Sequence, residues 1–97
     1  MISMTLNTNH LLTLLHDILD EQCVDCCAEV SEYQQIKRLV KNMMAKNEIT
    51  DDQLLQLLPE IYNYGMQGEN TNNVEEHITA NKDNLETWMS AIQNTTL

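Results

Sequence analysis

Val30-Ser31-Glu32-Tyr33-Gln34-Gln35-Ile36-Lys37-Arg38-Leu39-Val40-Lys41-Asn42-Met43-Met44 decides the fold class. Its apolar residues Val30, Tyr33, Ile36, Val40, Met43 and Met44 recur three or four positions apart, the spacing that stacks side chains on one face of an α-helix. Leu39 sits at the margin of that stripe. At about 100° per residue Arg38 falls opposite it, and Lys37 and Lys41 lie along one flank. The spacing predicts a helix over residues 26–46. Asp25 is placed to cap it, and Glu29 lies in its early turns, where an acid matches the positive end of the helix dipole.

The same period extends in both directions. Upstream, Leu11, Leu12, Leu15, Ile18 and Leu19 share a face of a first helix over residues 8–22, capped by Asn7 or Thr8. Cys23-Val24-Asp25 then carries the chain round. Downstream, Thr50-Asp51-Asp52-Gln53 has the form of a capping box. Leu54, Leu55, Leu57, Leu58, Ile61 and Tyr62 continue it as a third helix to about Gly65. Pro59 lacks an N–H and its ring crowds the carbonyl four residues back, so the pattern predicts a kink, or a restart at Pro59. Gly65 and Gly68 mark the exit, and the polar, Asn-rich residues 67–73 read as a loop. Asn73 with Glu76 resembles a second capping box, opening a fourth helix to about residue 93 through Val74, Ile78, Leu85, Trp88, Met89 and Ile92. Asn81 falls where that stripe wants an apolar residue; it faces a polar neighbour or marks a bend.

Four amphipathic helices on short connections must bury their stripes against one another. The expected architecture is all-α: an antiparallel four-helix bundle with a Pro-kinked third helix. It forms a single domain over residues 1–97, with 1–7 and 94–97 frayed. Two Gly and one Pro exclude a many-stranded β fold, and the lack of Phe beside six Met points to an aliphatic, Met-filled core. Leu54, Leu55, Leu57 and Leu58 could put apolar residues on two faces of the third helix, which makes that helix the candidate for self-association.

Fifteen acids against five bases give a net charge of −10, which repels phosphate backbones and disfavours nucleic-acid binding. The charges are segregated. Residues 1–32 carry Asp17, Asp20, Glu21, Asp25, Glu29 and Glu32 with no base, and residues 33–47 carry Lys37, Arg38, Lys41 and Lys46 with no acid. That basic island reads either as helix-dipole electrostatics or as a partner-binding patch. The N-terminus lacks a basic region and a long apolar run, and Leu11 to Leu19 is broken by Thr13, His16 and Asp17. No secretory signal or membrane span is expected, and a cytoplasmic setting follows.

Cys23-x-x-Cys26-Cys27, with His16 upstream, is the most suggestive chemical constellation. Zinc takes about four thiolate or imidazole ligands in a tetrahedron, and thiolates at this spacing can share one ion. Only one such knuckle is present, and the histidines show no matching pair. A redox thiol pair would need a βαβ context that is missing, and Asp25 and Glu29 would raise the thiol pKa values. Small packed residues at a helix junction are the plainer reading, so no metal or cofactor is expected. Glu-x-x-His pairs, a Gly-rich phosphate loop, a His-Glu-x-x-His helix and a Gly-x-Ser-x-Gly elbow are all missing from the sequence. No catalytic residue can be named, and the chain is not read as an enzyme.

Glu32-Tyr33-Gln34-Gln35-Ile36 leading to Arg38-Leu39-Val40-Lys41, then Glu60-Ile61-Tyr62-Asn63-Tyr64 near Gly68, then His77-Ile78 and Leu85-x-x-Trp88 resemble the YtzH-like family, small proteins of Bacillus and its relatives. The likeness covers about residues 8–93. It implies a bacterial, cytosolic protein and brings no activity with it. The expectation for function is a non-enzymatic interaction or regulatory module, binding an unknown protein partner or itself. Arg38, Lys41 and Tyr64 are its candidate contacts. The alternative is a zinc or thiol-redox site at Cys23, Cys26 and Cys27 with His16.

Overall fold

The first helix outlasts its apolar stripe by a turn, and the end it finds is unusual. The computed structural model describes residues 8–46 and 49–95, and among them α1 spans Thr8–Asp25, through the residues expected to turn. It stops because Cys26 adopts a left-handed conformation, φ 55°, and donates its backbone N–H to the Gln22 carbonyl at 2.8 Å. This is an αL helix end of the kind usually given to glycine, and a Cβ there costs about 1–2 kcal/mol. The next helix therefore starts late. α2 spans Val30–Lys46, and Glu29, not Asp25, opens it. The Glu29 carbonyl accepts from Glu32 N–H, and its own N–H donates to the Glu32 carboxylate at 3.5 Å.

α3 spans Asp52–Asn70. Its cap is Asp51 in place of Thr50, with the carboxylate accepting from Leu54 N–H at 3.0 Å. The helix continues through Pro59 without a restart. Pro59 and Leu55 are exposed, so the Leu55 carbonyl that Pro59 cannot satisfy lies on the wet side of the helix. Gly65 and Gly68 do not end α3 either. Both are buried within it at negative φ, and they are small because α2 comes close. A Cβ on Gly65 would stand 3.0 Å from Lys37 Cγ and 3.1 Å from the Tyr33 carbonyl, and one on Gly68 would enter the Tyr33 ring. The loop shrinks accordingly to residues 71–73.

The last expected helix is two. α4 (Val74–Ala80) is capped by Asn73, which accepts from Glu76 N–H at 3.0 Å, and α5 spans Lys82–Thr95. Asn81 separates them. Its side chain donates to the His77 carbonyl at 2.9 Å, its N–H turns back to Ile78, and its carbonyl accepts from Leu85 N–H. An amide side chain that bonds nearby backbone in this way competes with the helix ladder and breaks it. The described residues thus form five helices and no strand, where four were expected. Asn94 and Thr95 complete α5 and are not frayed. Residues 1–7 and 96–97, with the Asn7 cap, lie outside the described residues.

α1 packs on α2 and α5, and α3 packs on α2 and α5, so the helices close round one core. Tyr33 meets Gly68 and Lys37 meets Gly65, which sets α2 and α3 antiparallel; Asp51 meets Thr95 and Tyr64 meets Trp88, which does the same for α3 and α5. Leu12, Leu15, Leu19, Ile36, Val40, Leu54, Leu58, Ile61, Ile78 and Leu85 fill the interior. On α2 the buried arc is centred on Ile36, so Leu39 is inside it while Val30 and Met44, at the two ends of the expected stripe, are outside.

Candidate functional site

Once α2 and α3 lie antiparallel, residues three and four apart on each line the seam between them. Gln34, Lys37, Arg38 and Lys41 of α2 and Tyr62 of α3 border one shallow groove there. Three of the chain's five bases are gathered in it. Lys37 Nζ is 2.7 Å from Glu69 Oε1. The bond raises the Lys37 pKa, while Lys37 and the Gln34 amide together hold the Glu69 carboxyl below its ordinary value. Arg38 and Lys41 are exposed and have no ion-pair partner among the described residues. Leu55, Tyr62 and Met66 fall on one stripe of α3, and Met44 falls beside Lys41 on α2. Met44, Leu55 and Met66 are 41%, 39% and 42% exposed, high for large apolar side chains. The groove is therefore cationic along its α2 wall and bordered by the Tyr62 ring on α3, with exposed apolar side chains elsewhere on the same two helices, a surface able to hold acidic and apolar groups at once.

Tyr64, expected among the contacts, is not on this surface. It is 2% exposed, and its hydroxyl donates to the Gln22 side-chain amide oxygen (Oε1) at 2.7 Å inside the core. Tyr62, two residues away and half-buried, takes the outward place, because positions two apart on a helix point about 200° apart. Around Tyr64 is a cluster that sequence spacing does not show. His77 stacks on its ring at 4.6 Å, Trp88 and Tyr33 meet it edge-on at 5.4 and 5.5 Å, and His77 Nε2 lies 3.2 Å from the Tyr64 carbonyl. Burial pushes the Tyr64 and Tyr33 hydroxyls up and the His77 imidazole down. Gln22 is wholly buried, its amide reaching Glu32 at 3.5 Å, and the Tyr33 hydroxyl is buried with no hydrogen-bond partner among the described residues. The only sequence signal for this arrangement is Gln22 standing on the apolar side of α1.

Cys23 and Cys26 are half-buried, Cys27 is exposed, and all three are free thiols. The Cys26 thiol donates to the Cys23 carbonyl at 4.0 Å, and His16 pairs loosely with its neighbour Asp17 at 3.9 Å. Among the described residues no group of three or more His, Cys, Asp or Glu side chains is arranged to hold a metal ion. The knuckle fails because the backbone reverses at Cys26: Cys23 is still on α1 while Cys27 has already left it. Among the described residues no helix is long and apolar enough to cross a membrane.

No solved structure matches this chain. A family model described as "YtzH-like protein" matches residues 6–92. A Bacillus subtilis (strain 168) protein with the printed name "Uncharacterized protein YtzH" is 32% identical over 91 residues, covering 94% of this chain and 98% of that protein. These two likenesses run through all five helices and include both walls of the groove, and the chain belongs to the YtzH-like family.

Proposed function

We propose that this chain is a non-enzymatic, cytoplasmic protein-interaction module that engages its partner through the α2–α3 groove. The observation that carries the reading is the concentration of Lys37, Arg38 and Lys41 beside Tyr62 on a chain of net charge −10, with Met44, Leu55 and Met66 exposed on the same two helices. Arg, aromatic and Met side chains are enriched at protein-binding surfaces, and Arg38, Tyr62 and the exposed Met44 and Met66 supply all three. The displaced titrations support the non-enzymatic part: Tyr33, Tyr64 and His77 are held by packing, and Lys37 and Glu69 by each other. Three free thiols fit a reducing compartment. The scaffold reads as an antiparallel four-legged bundle, α4 and α5 together making the last leg.

A photo-reactive amino acid in place of Gln34, introduced in the native host, tests this. The expected outcome is a covalent adduct with a protein chain, reduced at least tenfold when Arg38→Glu and Lys41→Glu are combined with it, since reversing rim charges turns attraction into repulsion. Absence of any adduct overturns the reading.

A further inference from the structure

The groove has a counterpart on the same molecule. At the α1–α2 junction Glu21, Asp25, Glu29 and Glu32 line a second concavity with Cys27 and Ala28. Val24 and Val30, chain neighbours of Asp25 and Glu29, are 73% and 50% exposed. One surface is cationic with exposed apolar side chains, and the other is anionic with exposed apolar side chains. They cannot neutralise each other within one chain. Glu32 and Lys41 are nine positions apart on α2, which at about 100° each puts them on opposite flanks of that helix. Lys37 meets Glu69 of α3, and Arg38 and Lys41 are without an ion-pair partner among the described residues. An acidic surface of the kind these two cations lack is carried by every copy of the chain, at its α1–α2 junction.

We infer that the occupant of the α2–α3 groove is a second copy of this chain, its acidic α1–α2 junction seated against Arg38, Lys41 and Tyr62. This rests on the reading of the groove as the docking surface and names its partner. Long side chains such as Arg38 and Lys41 suit insertion into an acid-lined concavity, and the exposed Val24 and Val30 find apolar counterparts in the exposed Met44 of α2 and Leu55 and Met66 of α3. Two copies each carry −10, so the contact works against long-range repulsion that is screened beyond about 8–10 Å at ordinary salt. The association is accordingly weak and concentration-dependent.

Sedimentation equilibrium with charge-reversed variants tests it. Arg38→Glu with Lys41→Glu alters only the cationic surface, and Glu21→Lys with Asp25→Lys alters only the acidic one. All four residues are exposed, and lysine near the α1 C-terminus suits the helix dipole, so both proteins keep a helical circular dichroism spectrum. The wild-type mass should climb above one chain mass, to two or more chains, as concentration rises. Each variant alone should need at least a tenfold higher concentration, and an equimolar mixture of the two should recover wild-type association. A wild type that stays at one chain mass, variants that associate as the wild type does, or a mixture that stays unassociated each overturns the inference. A wild type of one chain mass that still forms the Gln34 adduct with another protein overturns the second-copy assignment and leaves the docking surface standing. Loss of every adduct overturns both.

Discussion

Gly68 has no side chain because the ring of Tyr33 occupies the place where a Cβ would stand. In an exposed helix the change from glycine to alanine stabilises by about 1 kcal/mol. At Gly68 the sign reverses, because overpacking a closed core costs about 1–3 kcal/mol and the obstacle is a rigid ring in the interior. Gly68→Ala should lower stability by about 1 kcal/mol or more in urea denaturation; an increase would show that the ring yields. Composition shows two glycines in a chain with one clear loop, and placing them beside that loop is the natural expectation. Only the partner helix shows why they stand inside α3. Tyr64 carries the same lesson. Aromatic residues two positions apart are told apart by which face the helix turns inward, and the stripe of α3 spans both Ile61 and Tyr62, so periodicity alone does not choose between Tyr62 and Tyr64 for the surface.

The helices themselves were readable wherever a stripe ran unbroken, and their ends were not. α1 stops at a cysteine in a left-handed conformation, a role no propensity assigns to that residue. α4 and α5 part at Asn81, where polarity within the stripe was visible but the break was settled by the bonds of the amide side chain. α3 runs on past its proline as one helix. A proline in a helix interior is about 3 kcal/mol worse than alanine, part of which is returned because proline also restricts the unfolded chain. Since Pro59 is exposed and the helix is already continuous around it, Pro59→Ala should stabilise by about 2 kcal/mol with no change in helix boundaries. Thermal unfolding would measure the gain, and amide hydrogen exchange along α3 would show whether the boundaries hold. A loss of stability would mean that proline sets a bend the packing needs.

For the molecule as a whole, His77 ties stability to pH. Its ring is stacked on Tyr64 and half-buried, so the folded state disfavours the imidazolium and the folded pKa lies below the unfolded value near 6.5. The unfolded chain then binds the proton more readily. Stability is complete above about pH 6.5 and falls as pH drops through the interval between the two values. His77→Gln should flatten that fall between about pH 7 and 5, seen as melting temperatures that no longer decline over the interval. The Glu69 carboxyl, held low by Lys37, adds a loss of the same direction as pH falls through the unfolded carboxyl's midpoint near 4.5 toward its lower folded value. By itself the sequence determined the helical class, the acidic character, the segregated charge and the bulk of the core, because each follows from the period of side chains along one helix or from counting. The tertiary structure alone decided that Arg38 and Lys41 share a groove with Tyr62, that the thiols do not gather into a ligand set, and that Gln22, Tyr33, Tyr64 and His77 meet inside. Those are relations between helices, and the angle at which one helix lies on another is set by the joint packing of both, which no single stripe contains.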